Sequence, residues 1–199
     1  MVDYIQKDYQ KMPKTKIAIV GCGVMGSYHA RTYSRFKDVD LVAVCDTNLR
    51  AAKNLAELYK TRYYENHKDL IRNEDIDAVS IAVPTKAHLS VSLDFIKKKI
   101  PLLIEKPLAD NSKSAKKIID AVRNKKVLLS VGHIERYNPA IIALQKLISQ
   151  KTFGKILSIN IKRVGGFPNR ISDVDVLKDL AVHDLDIATA LAERLPDFV

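Results

Sequence analysis

Three ionisable side chains near the end of the chain have the types and spacing of a proton-transfer centre. The stretch "LKDLAVHDLDIATALAERLPDFV" (177–199) sets Asp179, His183 and Asp186 at spacings of four and three. On a helix these residues share one face. An imidazole titrating near neutrality can take a proton and return it. The same trio also fits a solvated surface or part of a metal site. A closed metal site needs further ligands, and no other His/Cys/Asp/Glu cluster in the sequence supplies them, so no metal is assigned. Lys106, in "EKP" (105–107), follows a short apolar run. Its ammonium could stabilise negative charge developing on an oxygen, or simply stay hydrated at a strand end.

A second constellation is built for binding. "GCGVMG" places Gly21, Gly23 and Gly26 directly after the apolar run "KIAIV" (16–20). The first glycine permits a tight turn, the second lets backbone approach a pyrophosphate, and the third lets helix pack on strand. Val24 and Met25 open the helix, whose N-terminal dipole favours phosphate. A second apolar run, "LVAVC" (41–45), ends in Asp46, 20 residues beyond Gly26. That is where a ribose-binding carboxylate belongs. Asp46 favours NAD, because its charge repels a 2′-phosphate; Arg50 and Lys53 nearby weaken that exclusion and leave NADP open. The alternative is a flavodoxin-like turn without a ligand. Cys22 reads as a small filler of the turn.

The elements that must position these groups alternate. Strands are expected at 16–20, 41–45, 61–64, 77–83, 101–105 and 127–131. Helices are expected at 25–36, 48–58, 67–72, 87–97 and from Asn111 or Ser112 through Val122. Near-continuous apolar strands are buried on both faces, so the sheet is parallel and doubly wound. Its carboxyl edge would carry Pro84 and Thr85, with His88 on the next helix in a structural or cofactor-edge role. The same edge carries Glu105 and Lys106, near a nicotinamide. After Gly132 the pattern changes. Pro139 suits the first turn of a helix over 138–150, and "GKILSINIKRVGG" (154–166) alternates as a half-buried strand does. The expected organisation is an N-terminal extension (1–14), a Rossmann domain (15–134) and a partial α+β substrate domain (135–199).

Composition sets the outer limits. The chain has 199 residues, 47% hydrophobic and 28% charged, as for an ordinary globular protein. The longest apolar runs are too short to cross a bilayer, and no signal-peptide layout opens the chain. Cys22 and Cys45 are the only cysteines, without a CxxC pair. The reading is cytoplasmic, with no membrane partner. The net charge is +10, with lysines in "IKKKI", "KSAKK" and "NKK". These fall at helix ends and lack the interleaved aromatics of a nucleic-acid reader, so no nucleic acid is expected.

Taken in order, "GCGVMG", Asp46, "AVPTKAH", "EKP", "GHIERYNPA" and "DLAVHDLD" make the chain resemble the glucose–fructose oxidoreductase/inositol dehydrogenase/MocA family over residues 15–195. The resemblance implies a two-domain NAD(P)-dependent oxidoreductase acting on a sugar or polyol. It implies that Lys106 acts at the reacting hydroxyl, that His183 is the acid/base and that Asp179 orients substrate. Within the family, "GHIERYNPA" and "NRISDVDVLKDLAVHDLDIA" are most similar to the UDP-N-acetylglucosamine 3-dehydrogenase branch. Arg136 could meet an anionic diphosphate or pair with a neighbouring acid, and Tyr137 stands beside it. Arg170 and Asp173 are further substrate candidates, and His133 either lines the cleft or packs.

On this reading Ala181, Leu185, Ala188 and Ala192 pack the last helix down. "LPDFV" looks like the lead into another strand, so the second domain is expected to be incomplete. Family members of full length form a large open sheet, which implies a homo-oligomer where that sheet is present. The rival reading is a dinucleotide-binding sensor without turnover.

Overall fold

The computed structural model describes residues 13–163 and 180–197. Its first unit, through Ser130, is the alternating part of the chain. β1 (Thr15–Val20), β2 (Val39–Cys45), β3 (Arg62–Tyr64), β4 (Ala78–Ile81), β5 (Leu102–Ile104) and β6 (Leu129–Val131) form one sheet in the order β3-β2-β1-β4-β5-β6. The pairings of β1 with β2 and β4, of β2 with β3 and of β4 with β5 are all parallel. The order reverses between β1 and β4, which opens a crevice beyond their carboxyl ends.

Five helices cover the sheet: α1 (Val24–Tyr33), α2 (Leu49–Tyr59), α3 (His67–Asn73), α4 (His88–Lys97) and α5 (Ser112–Lys125). Alternation along the strands feeds two cores. Ala18, Val20, Ala43 and Cys45 join Val79, Ile81, Phe95, Ile104 and Ile118 on one face. Ile19 and Val44 join Ala30, Ala52 and Leu55 on the other. Burial on both faces is why these strands read as continuous apolar runs. Asparagine side chains cap α2, α3 and α5, accepting from Ala51, Lys68 and Ser114 N–H.

The second unit contains a 3-10 turn (Ile134–Tyr137), α6 (Pro139–Ser149) and α7 (Val182–Ala192). Asn138 caps α6, with Pro139 in its first turn. The strand expected over 154–166 is not formed across its described part. Residues 154–163 carry no strand pairing, and Leu157 is 91% exposed. A strand must exchange backbone hydrogen bonds with a neighbour, and no described strand lies beside this one. The packing stripe expected on the last helix is also corrected. Leu185 is 63% exposed and Ala192 is exposed, whereas Ile187 and Leu191 are buried. Residues 183, 187 and 191 fall on one side of a helix, so His183 shares the packed side.

Among the described residues no helix is long and apolar enough to cross a membrane.

Candidate functional site

The glycine-rich turn is shaped by contacts that only glycine allows. Gly21 has φ +100°, and a Cβ there would lie 2.4 Å from the Ala82 carbonyl oxygen. A Cβ on Gly26 would lie 1.8 Å from the Gly21 oxygen. Gly23 is different: a Cβ there would meet nothing within 4 Å. Its side faces open space at the start of α1, and Gly23 caps α1 without a side-chain acceptor. The open cradle and the uncapped first turn, with Val24 and Met25, fit a dinucleotide pyrophosphate.

Asp46 closes the other side of the turn. Its Oδ2 accepts the Cys22 backbone N–H at 2.7 Å, and its Oδ1 accepts the Asn48 N–H at 2.8 Å. Each carboxylate oxygen keeps a second lone pair for a ribose hydroxyl. Lys53 is turned towards Glu57 at 3.9 Å. Burial pushes the Cys22 thiol up to about 12, helped by the nearby Asp46 charge. Such a thiol is inert near neutral pH.

At the next strand exits, Pro84 precedes a 3-10 turn (Thr85–Ala87) in which Thr85 is buried. His88 is 1% exposed. Its Nδ1 lies 3.0 Å from the Pro107 carbonyl oxygen and its Nε2 3.0 Å from that of Val83. Both ring nitrogens face backbone, so His88 braces two loops, which is the structural of the two roles expected for it. Lys106–Pro107 is a cis peptide.

Glu105 is 6% exposed. Its Oε1 meets His29 Nε2 at 2.9 Å, and its Oε2 accepts the Lys106 backbone N–H at 3.2 Å. His29 Nδ1 lies 2.6 Å from Ser80 Oγ. Burial alone would raise the Glu105 carboxyl, but the His29 hydrogen bond and charge, then the Lys106 N–H and charge, bring it below its ordinary value. The carboxylate is turned on His29 with one oxygen and holds the Lys106 backbone N–H with the other. His29 reaches this carboxylate from α1. The signal was present: a histidine on a sheet-facing stripe, opposite a serine inside the apolar strand "VSI", needs a polar partner.

In the second unit Arg136 grips Asp186 with both arms of its fork, Nε at 2.8 Å and Nη2 at 2.6 Å. His133 Nδ1 stands 3.7 Å from the same carboxylate. Burial would raise Asp186, but the Arg136 bonds and the charges of His133, Arg136 and His183 hold it below the usual aspartate value. Of the two readings of Arg136, the ion pair is the one formed. Arg163 bonds Asp184 at 2.8 Å and approaches Glu135 at 3.9 Å. Tyr137 is 78% exposed. His183 lies in the first turn of α7. Asp179, Arg170 and Asp173 lie outside the described residues. Among the described residues no three His, Cys, Asp or Glu groups gather as a metal site.

Known proteins are similar to this chain in sequence and fold. The family model GFO_IDH_MocA, "Oxidoreductase family, NAD-binding Rossmann fold", matches residues 15–133. A UDP-N-acetylglucosamine 3-dehydrogenase of Acidithiobacillus ferrooxidans is 30% identical over 181 residues, covering 91% of this chain and 55% of that protein. An inositol 2-dehydrogenase of Rubrobacter xylanophilus is 33% identical, covering 89% and 52%. The solved A. ferrooxidans 3-dehydrogenase superposes with a TM-score of 0.80 at 30% identity, over 92% of this chain and 56% of its own. A myo-inositol dehydrogenase of Lactobacillus casei, solved with NAD(H) and myo-inositol, gives 0.78 at 25% identity, over 90% and 55%. The chain thus spans about half the length of the curated relatives it matches. The family match over residues 15–133, carried on a parallel sheet with the glycine turn and the acid after β2, places this chain in the Gfo/Idh/MocA oxidoreductase family, with its NAD-binding Rossmann fold.

Proposed function

We propose that the protein is an NAD-dependent oxidoreductase that moves a hydride between nicotinamide and a secondary hydroxyl of a sugar, polyol or nucleotide sugar. The carrying observation is the open cradle at Gly23 beside an Asp46 carboxylate anchored through both oxygens. Gly21, Gly23, Val24, Met25 and Gly26 would hold the pyrophosphate, and Asp46 the ribose. NAD, when bound, supplies the hydride acceptor.

The chain's own residues handle the oxygen. Oxidising an alcohol removes a hydride from carbon and a proton from oxygen. Lys106, at the carboxyl edge after β5, would stabilise the developing alkoxide. His183 would take the proton as general base and return it in the reverse direction. Asp179 would orient substrate, with Tyr137, Arg170 and Asp173 as further contacts. Arg136 would reach substrate only through the donors its pairing with Asp186 leaves over. Residues 135–199 would contribute to the substrate domain, and a homo-oligomer would form through that domain's sheet.

Two relatives point to two substrate types, a nucleotide sugar and a cyclitol. The "GHIERYNPA" segment favours the nucleotide sugar, with UDP-N-acetylglucosamine as the first substrate to try. Calorimetry with NAD, followed by NADH fluorescence with UDP-N-acetylglucosamine or myo-inositol, tests the proposal. NAD binding with turnover supports it. NAD binding without any ternary complex or turnover favours the sensor reading instead.

A further inference from the structure

We propose that His29 is a positioning residue for Lys106, acting through the buried Glu105 carboxylate. The inference rests on the reading of Lys106 as the group at the reacting hydroxyl. Glu105 sits at the end of β5, where a buried carboxylate must be matched by donors. His29 reaches it from α1, with Nε2 at 2.9 Å from Oε1. An ionised carboxylate only accepts, so Nε2 is the donor. Ser80, inside β4, fixes the other ring nitrogen at 2.6 Å. Tyr33 stands edge-on to the imidazole, with ring centroids 6.2 Å apart. The ring is thus held on three sides, by α1, β4 and the end of β5.

The second oxygen of Glu105 receives the Lys106 backbone N–H at 3.2 Å. One carboxylate therefore joins a locked imidazole to the peptide from which the lysine side chain springs. The Glu105 carboxylate also feels the Lys106 charge. Without His29, Glu105 keeps the Lys106 segment, whose N–H and charge already act on it, and the carboxylate would shift its weight onto that segment and move Lys106. No sequence motif marks this link, because His29 and Glu105 are 76 residues apart.

The test uses the full chain, with NAD and UDP-N-acetylglucosamine. Four variants are compared: His29→Leu, His29→Gln, Glu105→Gln and Lys106→Ala. Gln can still donate to Glu105, whereas Leu cannot. His29→Leu should lower kcat about tenfold to a hundredfold while NAD affinity stays within about twofold. His29→Gln should recover most of that loss. Independently of turnover, the Lys106 backbone amide resonance should shift in His29→Leu and return towards its wild-type position in His29→Gln. Glu105→Gln covers the case in which the leucine variant does not fold, and should show the same loss of kcat. The proposal is overturned if the folded His29→Leu or Glu105→Gln protein keeps wild-type kcat and an unmoved Lys106 amide, or if Leu and Gln at position 29 lose activity equally. A fully active Lys106→Ala instead overturns the reading of Lys106 itself, leaving the amide shift to report on the structural link.

Discussion

Asp46 Oδ2 and the Cys22 backbone N–H are 2.7 Å apart, which makes the acid after β2 and the glycine-rich turn after β1 one piece. The carboxylate that would receive the ribose also sets the turn that would receive the pyrophosphate. Asp46→Ala should therefore lose more than a ribose contact. We expect NAD affinity to fall about tenfold to a hundredfold, from the loss of charge-assisted hydrogen bonds. Calorimetry with NAD checks this, and an affinity within twofold of wild type would falsify the cofactor role of Asp46.

Two glycines three positions apart should respond oppositely to the same added methyl. Gly23 has open space beside it, so Gly23→Ala should fold with little change in melting temperature yet bind NAD poorly. Gly26 faces the Gly21 oxygen at 1.8 Å from an added Cβ, so Gly26→Ala should destabilise the fold. The overpacking cost is about 1–3 kcal/mol or more. Melting curves with and without NAD separate the two.

Phe95 is completely buried on α4 among Val91, Ile81 and Ile104. Phe95→Ala should cost about 3–5 kcal/mol in urea unfolding, with no direct effect on a residue that touches ligand. A loss below about 1 kcal/mol would show that the site collapses around the gap.

Glu105 should make its part of the stability depend on acid. Its folded value lies below the ordinary 4.5, so its stabilising share is present above that pH and is lost as pH falls through the folded value. The urea midpoint of wild type should drop between about pH 6 and about pH 3. Glu105→Gln should drop less over the same span. Equal slopes would remove Glu105 from the account.

Arg136 and Asp186 should couple in a double-mutant cycle. Because Arg136 is half exposed, solvent screening holds the expected coupling to about 1 kcal/mol. Additive losses for Arg136→Ala and Asp186→Asn would show that the two-armed contact contributes nothing measurable.

The sheet was readable because its strands are buried on both faces, and burial leaves runs such as "KIAIV" and "VSIAV" in the sequence. The nucleotide turn was readable because steric limits leave glycine as the residue that fits at positions 21 and 26. The alternation over 154–163 misled for a related reason. Side-chain period two describes a segment ready to pair, and the described residues offer no strand to pair with. His29 was not singled out because its partners, Ser80 and Glu105, lie 51 and 76 residues away, and no local spacing encodes those. The Arg136–Asp186 pair spans 50 residues, so sequence could offer an ion pair only as one of two alternatives.

His88 bears on how this region can vary. Its ring spans the carbonyls of Val83 and Pro107, one on each of two neighbouring strand exits. A residue of another shape at position 88 releases both loops together. One substitution there thus loosens the exits of β4 and β5 at once, while side-chain changes within "AVPT" or "EKP" leave the two carbonyls, and the tie, in place.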